Sequence, residues 1–345
     1  MKDLLTTKLF INYSQDDWNN LLLNFEPTIN YTSWFLNYVE TLNLSSNIKN
    51  HTFVLYEENS PIAIVPLYIE KINNKFQMSM GQEPIYAPIF IKNILASSCE
   101  KYMSHLIKKI DDLALKNQCL LARFHFSPLL ENNFALKNYL TSGYFEHIPY
   151  PDWYIFKSTF SFVLNLNNEH KNIYNRIRKG HRSNIKQTKK IANLVLIDKH
   201  SYTTEDFKRY VSLYYEVKGN KRNIEAFKLD SVAIKSGFQF IMICEINNKF
   251  IGAIAFHAYN NKARYNSSVQ LYNDNIRIHP THFLLWSGIE YLKVKGYDLL
   301  EIGEQVLDNG QYVVSMKEKN LSHFKSGWGC DLISSTKIQK EFKNV

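Results

Sequence analysis

The sequence contains few cysteines and no long apolar segment. Its four cysteines, Cys99, Cys119, Cys244 and Cys330, lack CxxC or Cys/His spacing, which argues against a zinc site and a disulfide framework. A reducing, cytoplasmic location is therefore expected. No run of about 20 apolar residues is present to span a bilayer, and the N-terminus has no signal-peptide apolar run. Peripheral contact with the inner face of a membrane stays open.

The commonest motifs for nucleotide binding and hydrolysis are also missing. The 12 glycines form neither GxGxxG nor GxxxxGK[ST], so the usual phosphate-binding loops are not expected. Without GxSxG or HExxH, serine-hydrolase and zincin chemistry are unsupported as well. The 345 residues are instead 45% hydrophobic and include 22 Tyr and 22 Phe, a composition typical of a folded protein. At this length we expect two domains.

Positive charge is in moderate excess. Lys and Arg total 41 against 32 Asp and Glu, which gives a formal net charge of +9. This excess favours anionic partners such as nucleic acid, nucleotides or acidic lipid surfaces, and it equally suits an enzyme with a phosphate-bearing substrate. The distribution of the charge is therefore more informative than its total.

The order of predicted strands and helices repeats in the two halves of the chain. In the first half, a helix capped by Thr32, a helix over 97–117 and one near 129–141 accompany the strands HTFVLYE, IAIVPLYIE, KFQMSMG and CLLARFHF and the loop QEPIYAPIF. In the second half, a helix over 281–295 accompanies FQFIMICEI, KFIGAIAFHAY, ARYNSSVQLY and DLLEIG. The repeat predicts a duplicated mixed α/β unit, divided into domains 1–155 and 156–345. The alternative is that any two α/β domains contain such hairpins.

Residues 170–190, HKNIYNRIRKGHRSNIKQTKK, form the most basic part of the chain, and we call them the basic segment. No acidic residue occurs between Lys171 and Ile197, so local ion pairs do not neutralise the charge. The spacing predicts a helix over about 168–192 with one basic face. Four residues are candidates to bind a polyphosphate or an RNA backbone: Arg178, Lys179, Arg182 and Lys186. A solvated helix face explains the pattern equally well.

Two further segments carry candidate site residues. Arg277, His279 and His282 lie at a predicted strand-to-helix junction, where backbone N–H groups and the helix dipole bind anions. In HFKSGWG, residues 323–329, Lys325 is a cationic donor that can stabilise an oxyanion. Glu304, at the end of DLLEIG, adds a carboxylate where open α/β sheets place ligands. For the histidines a surface or capping role is the alternative, and for Lys325 a snorkelling surface charge.

Several motifs together resemble the Fem family of peptidoglycan-bridge aminoacyltransferases and its FemAB-like relatives. They are RKGHRSNIKQTKK, ARYNSSVQLYN, HPTHFLLWSGIEYLKVKGYDLLEIG and HFKSGWG, with the earlier YTSW and QEPIYAPIF. Their order and spacing cover the chain from about residue 30 to about residue 330. The resemblance implies an α/β (α+β) fold of two tandem GNAT-like acyltransferase domains, each a mixed, mainly antiparallel sheet flanked by helices.

The family resemblance also implies a reaction. Fem proteins transfer an amino acid from aminoacyl-tRNA to an amine of a muropeptide precursor, whereas other FemAB-like proteins acylate amino sugars of surface polysaccharides. No [QR]xxGx[GA] signature for acetyl-CoA stands at the expected junction, which places aminoacyl-tRNA ahead of acyl-CoA as the co-substrate. No tightly bound cofactor, no metal and no DNA partner are expected. The space between residues 200 and 237 is too short for the coiled-coil arm of some Fem proteins.

By similarity, Lys325 is the candidate catalytic residue that stabilises developing negative charge. The general base is not evident from the motifs. The substrate-binding candidates are Arg178, Lys179, Arg182, Lys186, Tyr86, Tyr265, Arg277, His279, His282 and Glu304. Tyr86 lies in a first-domain loop that is expected to reach an acceptor held between the domains. A non-catalytic nucleic-acid or anionic-surface binding protein on the same fold is the alternative from a different functional class.

Overall fold

The chain folds into two compact units, Met1–Ser158 with Ser334–Val345, and Thr159–Ile333. We call them unit 1 and unit 2. The computed structural model describes residues 5–42, 47–94, 96–130, 153–271, 278–306 and 314–342. The C-terminal residues, which the predicted boundaries assign to the second domain, belong to unit 1. The reason is that Thr336–Glu341 pair antiparallel with residues 121–126 of unit 1.

Unit 1 contains two sheets. The first has the order β1-β3-β4-β8, formed by β1 (Leu5–Leu9), β3 (Phe53–Glu57), β4 (Ser60–Val65) and β8 (Ile89–Phe90). The second has the order β2-β5-β6-β9-β16, formed by β2 (Lys49–Asn50), β5 (Tyr68–Ile72), β6 (Lys75–Met78), β9 (Cys119–Phe126) and β16 (Asp331–Glu341). The short β7 (Ile85–Tyr86) pairs with β9. All of these pairs are antiparallel except those that β6 and β7 make with β9.

The predicted strand IAIVPLYIE is in fact two strands that belong to different sheets. β4 ends at Val65, and β5 begins at Tyr68. Pro66 lies between them, and because proline has no N–H to donate to a ladder, the chain leaves the first sheet there. The predicted third strand, KFQMSMG, therefore pairs as β6 with β5 in the second sheet.

The helices of unit 1 follow apolar periodicity and have identifiable caps. They are α1 (Gln15–Leu22), α2 (Ser33–Leu42) and α3 (Ala96–Lys116). The Ser14 side chain accepts a hydrogen bond from the Asp17 N–H at the start of α1, and Thr32 accepts one from the Phe35 N–H at the start of α2. The helices predicted at Thr32 and over 97–117 are thus confirmed. The helix predicted near 129–141 falls almost wholly in 131–150, outside the described residues.

Unit 2 is built on one sheet with the order β11-β12-β13-β14-β15-β10. Its strands are β10 (Trp153–Asn165), β11 (Asn193–Ile197), β12 (Gln239–Ile246), β13 (Lys249–Tyr259), β14 (Lys262–Gln270) and β15 (Leu299–Glu304). Neighbouring strands pair antiparallel except β14 and β15, which pair parallel over Lys262–Arg264 and Leu299–Glu301. β14 runs on to Gln270 beyond this short pairing, so the two strands part toward their C-terminal ends.

Helices cover both faces of the unit 2 sheet. They are α4 (His170–Arg176), α5 (Lys179–Lys189), α6 (Thr204–Lys218), α7 (Ile224–Lys235), α8 (Pro280–Val294) and α9 (Met316–Ser326). Alternate residues of β12 and β13 point to opposite faces, as the pleat requires. Phe240 and Phe256 pack in the core with Leu284 of α8, while Ile241 packs in a separate core with Phe227 of α7.

The basic segment is two helices and not the single helix that its spacing predicts. α4 ends at Arg176, and Ile177 and Arg178 are extended, with ψ of 135° and 138°. Ile177 is buried in the core, and the Arg178 N–H donates to the Gly327 carbonyl 2.8 Å away instead of continuing a helical ladder. Arg178 therefore caps α5 and does not share a continuous helix face with Tyr174 and Arg176 before it.

The predicted fold class is confirmed. Both units combine mainly antiparallel sheets with flanking helices, each unit has a sheet that also contains parallel pairs, and unit 2 has its meander, long helix and β15 in the predicted order. Within the described residues, no helix is both long enough and apolar enough to cross a membrane.

Candidate functional site

Three segments that the sequence analysis singled out meet in unit 2. Arg178, at the start of α5, contacts the last turn of α9 through both guanidinium nitrogens, with Nη1 2.7 Å from His323 Nε2 and Nη2 2.9 Å from Ser326 Oγ. The basic segment and the HFKSGWG motif are thus joined directly. The HPTH segment joins them through a pair of histidines.

That pair is His181 of α5 and His282 of α8. The His181 Nε2 lies 2.9 Å from the Phe324 carbonyl oxygen, and its Nδ1 lies 3.2 Å from His282 Nε2. Asn184 is 3.5 Å from the same His282 nitrogen. Burial lowers the pKa of both imidazoles, and for His282 the neighbouring His181 and His279 bring the pKa down further, to about 3. Both rings are therefore neutral at physiological pH.

Aromatic rings enclose the histidine pair. Phe324 and Trp328 both lie against His181, at centroid distances of 5.4 and 5.3 Å, and against His282, at 5.1 and 6.2 Å. Gly327 is required here because a Cβ at that position would collide with the His181 ring. The Gly-Trp pair of the motif thus serves close packing around the imidazoles.

A pocket of about 560 Å³ opens beside this junction. Its walls come from the end of α6, from β14, from the first turn of α8 and from α9. Three predicted binding residues, Tyr265, His279 and His282, line it together. The other lining residues are Val217, Lys218, Ser268, Val269, Gln270, Thr281, Lys317, Asn320, Leu321 and Phe324.

The polar groups of the pocket wall are held in place by neighbouring side chains. The Tyr265 hydroxyl donates to Ser268 Oγ at 2.6 Å, and the Thr281 hydroxyl donates to Gln270 Oε1 at 2.7 Å. Two lysines, Lys218 and Lys317, add positive charge, and no carboxylate is among the described lining residues. The pocket therefore suits a neutral ligand with hydrogen-bonding groups, or a negatively charged ligand. Its described lining offers no carboxylate to balance a positive charge on a ligand.

Lys325 occupies a neighbouring polar cluster at the end of β15. Its Nζ donates to the Glu304 carbonyl oxygen at 3.3 Å, and a Cβ placed on Gly303 would come within 2.7 Å of that nitrogen. Burial lowers the pKa of Lys325, while Glu301 and Glu304 raise it and Arg264 lowers it. The ammonium thus lies in a partly dry site, where a charge stabilises a developing oxyanion more than it would in water.

Two carboxylates of this cluster differ in their surroundings. Glu301 is buried, accepts a hydrogen bond from Ser161 Oγ at 3.0 Å and lies 3.7 Å from Arg264 Nε. Glu304 is half-buried, and its backbone carbonyl receives the Lys325 hydrogen bond. Glu304 and Lys325 therefore lie close together at the end of β15, and this hydrogen bond between them is made by the backbone of Glu304.

The four basic candidates of the basic segment differ in how exposed they are. Lys179 and Lys186 are exposed on α5, while Arg182 is half-buried with its guanidinium 5.9 Å from the Tyr174 ring centroid. Arg178 is engaged by α9, so its guanidinium is less available to a ligand than the spacing suggested. Lys179 and Lys186 are thus the solvated cations among the four candidates.

The two predicted binding residues that are still to be placed are Arg277 and Tyr86. Arg277 lies outside the described residues. Tyr86 does not lie on an open loop, because it belongs to β7, is buried in unit 1 and packs against Phe35 and His125, at centroid distances of 5.9 and 5.6 Å. The run QEPIYAPIF, predicted as a loop, contains two short strands whose apolar residues complete that core.

Several residues of the site escaped the sequence analysis. His181 falls within the basic segment, whose charge was the more prominent feature. The available sequence signal was its helical spacing with Ile185 and Thr188, and all three residues are buried in the structure. Arg264 and Gln270 lie within ARYNSSVQLYN and Lys317 lies on the helix that leads into HFKSGWG, but these motifs did not mark them as site residues. Among the described residues, no cluster of His, Cys, Asp and Glu has the arrangement of a metal site.

Comparison with known proteins identifies the fold. No family model matches the chain, and no curated protein matches it significantly. Among solved structures, FemX is similar over 98% of this chain and 97% of its own, with a TM-score of 0.70 and 10% identity. The C-terminal domain of a putative lysylphosphatidylglycerol synthetase from Agrobacterium fabrum matches over 95% and 91%, with a TM-score of 0.61 and 11% identity.

A third similar structure is that of L-PGS from Bacillus licheniformis, which covers 96% of this chain and 93% of its own with a TM-score of 0.60 and 10% identity. These matches span both units. The chain therefore has the fold of FemX, and the mixed α/β fold class that the resemblance implied is confirmed over both units.

Proposed function

We propose that this chain, which has the fold of FemX, is an acyltransferase that forms an amide bond on an amine of a cell-envelope or surface-glycan precursor. The observation that carries the proposal is the position of Lys325. Its half-buried ammonium donates to the Glu304 carbonyl oxygen at the end of β15, and Lys325 belongs to α9, the helix whose residue Phe324 lines the pocket. A cation fixed beside a pocket can stabilise a negatively charged intermediate at little cost in reorganisation.

In the proposed reaction, a neutral amine attacks the carbonyl carbon of an ester or thioester. A C–N bond forms, the carbonyl oxygen becomes a tetrahedral oxyanion, and Lys325 stabilises that charge. The intermediate then collapses as the C–O or C–S bond breaks. The proton lost by the nitrogen ends on the departing oxygen or sulfur, so no oxidant, metal or further reactant is needed.

As donor we propose aminoacyl-tRNA. Its support is the exposed cationic surface of α5, where Lys179 and Lys186 are solvated and able to contact phosphates. FemX and a putative lysylphosphatidylglycerol synthetase are both similar in structure to this chain. As acceptor we propose an amine-bearing muropeptide or an amino-sugar precursor, which can be lipid-linked at the inner face of the membrane.

A second candidate donor is acyl-CoA, with an amino sugar as acceptor. One observation favours it: Thr281 and His282, in the first turn of the 15-residue helix α8, line the pocket. Pro280 has no N–H and the His282 N–H donates to the His279 carbonyl oxygen, so it is chiefly the dipole of this helix start that would attract a phosphate. A binding protein that has no catalytic activity is the third candidate, since a fold does not determine function.

A mass-spectrometric transfer assay tests the proposal. The purified protein is given either a charged tRNA pool or an acyl-CoA mixture, each with the same panel of amine-bearing nucleotide sugars and muropeptides. We expect an amide product with charged tRNA, and its mass identifies the amino acid. Product from CoA alone would establish the second candidate, whereas no product from either donor by correctly folded protein would contradict an acyltransferase.

Substitution of Lys325 connects the activity to the site. We expect Lys325→Ala to lower kcat by about 100- to 1,000-fold, because one oxyanion-stabilising group is removed, while KM changes little. Lys319→Ala is the matched control, since Lys319 is an exposed lysine on the same helix. Equal activity of the two variants would exclude the proposed role of Lys325.

A further inference from the structure

The contacts of the histidine pair determine which nitrogen carries each proton. The Phe324 carbonyl oxygen can only accept, so the His181 Nε2 at 2.9 Å must carry a hydrogen. His181 is neutral, since burial lowers its pKa and the nearby Arg178 and His323 lower it further. Its Nδ1 is therefore unprotonated and accepts a hydrogen bond.

The position of the proton on His282 follows from that on His181. The His282 Nε2, 3.2 Å from that Nδ1, must donate and so carries a hydrogen. The Asn184 atom placed 3.5 Å from this nitrogen is Nδ2, and exchange of the amide nitrogen and oxygen, which have the same shape, brings Oδ1 there as the acceptor that the assignment requires. Because His282 is neutral, its other nitrogen, Nδ1, is unprotonated. That nitrogen makes no hydrogen bond to any residue that the structure describes, and the ring lines the pocket.

We propose that His282 Nδ1 accepts a hydrogen bond from the N–H of the uncharged amine that is acylated, and so positions this amine for attack. The inference rests on the proposed function. A single acceptor holds one N–H of the amine and leaves the nitrogen lone pair free for the carbonyl carbon. His282 is a positioning residue in this account, and His181 acts through it by fixing the tautomer.

The charge of the pocket explains why the uncharged amine is bound. The titratable groups beside His282 are His181 of α5 and His279 before α8, and two lysines, Lys218 and Lys317, line the same pocket. None of these groups is anionic, and no carboxylate is among the described lining residues. An ammonium would therefore be repelled and would have no counter-ion, whereas a neutral amine keeps both its hydrogen bond and its reactivity.

The tautomers are tested directly by NMR. Two-bond 15N–1H correlation spectra of histidine-labelled protein at neutral pH distinguish a protonated Nε2 from a protonated Nδ1. We expect both His181 and His282 to be neutral Nε2–H tautomers, assigned with His181→Gln and His282→Phe. His200→Gln is the labelling control, because His200 is exposed and remote in sequence from the pocket. An Nδ1–H tautomer or an imidazolium at His282 would overturn the proposal.

The ligand chemistry is tested with glucosamine as a probe and glucose as its amine-free control. We expect glucosamine to move the Nδ1 resonance of His282 more strongly as the pH rises and its amine loses charge, and glucose to leave that resonance unmoved. Equal shifts with the two sugars would show that a hydroxyl satisfies the site and would refute amine recognition. This readout does not depend on turnover.

Kinetics separate this inference from the proposed function. If the transfer assay succeeds, we expect His282→Phe to raise KM for the amine by up to about tenfold, the value of one neutral hydrogen bond. The pH dependence of kcat/KM for that variant should follow the ionisation of the substrate amine alone. Active protein in which His282→Phe has an unchanged KM would refute the inference and leave the acyltransferase standing. A glucosamine-dependent shift of the His282 Nδ1 resonance in protein that transfers no acyl group would support amine binding by His282 and contradict the acyltransferase.

Discussion

The guanidinium Nη1 of Arg178 lies 2.7 Å from Nε2 of His323, which joins the basic segment to the last turn of α9. A guanidinium has only donors, so this imidazole nitrogen is the acceptor. Together with the bond to Ser326 Oγ, the contact makes Arg178 part of the framework that holds the Lys325 helix. Arg178, which the sequence predicts to bind phosphate, thus also holds α9 in place.

Replacement of Arg178 should therefore affect stability as well as activity. We expect Arg178→Gln to lower the free energy of unfolding by about 1 kcal/mol, because two hydrogen bonds at a partly exposed site are removed. Urea denaturation measures this change. Arg182→Gln is the control, because it removes a guanidinium of the same helix that lies 5.9 Å from the Tyr174 ring centroid. Equal losses of stability in the two variants would contradict the special role of Arg178.

The exposed lysines of α5 should account for most of the attraction to RNA. We expect the double variant Lys179→Glu/Lys186→Glu to weaken tRNA binding and to reduce the salt dependence of log Kd by roughly 0.7 for each phosphate that is no longer bound. Lys208→Glu, on exposed surface of α6 in the same unit, is the matched control. Filter binding from low to moderate salt provides the slopes. If all variants share the wild-type slope, α5 does not bind tRNA.

Gly303 should be required for the placement of Lys325 and not only for the backbone of β15. At φ +119° a side chain is strained, and a Cβ would stand 2.7 Å from Lys325 Nζ. We expect Gly303→Ala to lower kcat by a factor at least as large as the factor by which it lowers the equilibrium constant for folding. Gly296→Ala is a suitable control, because Gly296 also has a positive φ, +77°, but open space around it. Similar turnover in the two variants would argue against the contact with Lys325.

Acid should destabilise the protein through its buried histidines. Burial, with Arg264 and Arg222 nearby, lowers the pKa of His257 from 6.5 to about 3. Between these values the unfolded chain binds a proton that the folded chain does not, so stability is complete above pH 6.5 and falls as the pH decreases toward 3. The slope is at most about 1.4 kcal/mol per pH unit.

Urea unfolding at a series of pH values, compared between wild type and His257→Gln, checks this dependence. In the variant, the free energy of unfolding should fall less steeply as the pH decreases below 6.5. One group that binds a proton in the unfolded chain but not in the folded chain has been removed. His200→Gln should keep the full slope, because His200 is exposed. A slope that is identical in all three proteins would show that His257 does not contribute.

The sequence was informative where one short pattern determines one local structure. The meander of β12, β13 and β14 follows from alternating apolar residues and from turns at Asn247 and Asn260, where asparagine accepts positive φ. The helix after HPTH follows from Pro280 at its first turn. The fold itself was predicted from motifs whose order resembles that of a family.

The sequence was misleading where distant contacts compete with local spacing. Ile177 has helical periodicity, but its burial and the bond from the Arg178 N–H to Gly327 stabilise an extended conformation there. The histidine pair could not be predicted because His181 and His282 are about a hundred residues apart, and only packing brings the rings together. Tyr86 looked like a loop residue because its neighbouring prolines obscured two short strands.

The route of the chain through β16 has a consequence for synthesis on the ribosome. β9 is complete at Phe126, but its antiparallel partner, Thr336–Glu341, follows the whole of unit 2. During translation the edge of β9 therefore remains unpaired while more than two hundred further residues are added. We infer that unit 2 can fold first as a continuous stretch of chain, and that the nascent β9 edge is open to a chaperone throughout that time.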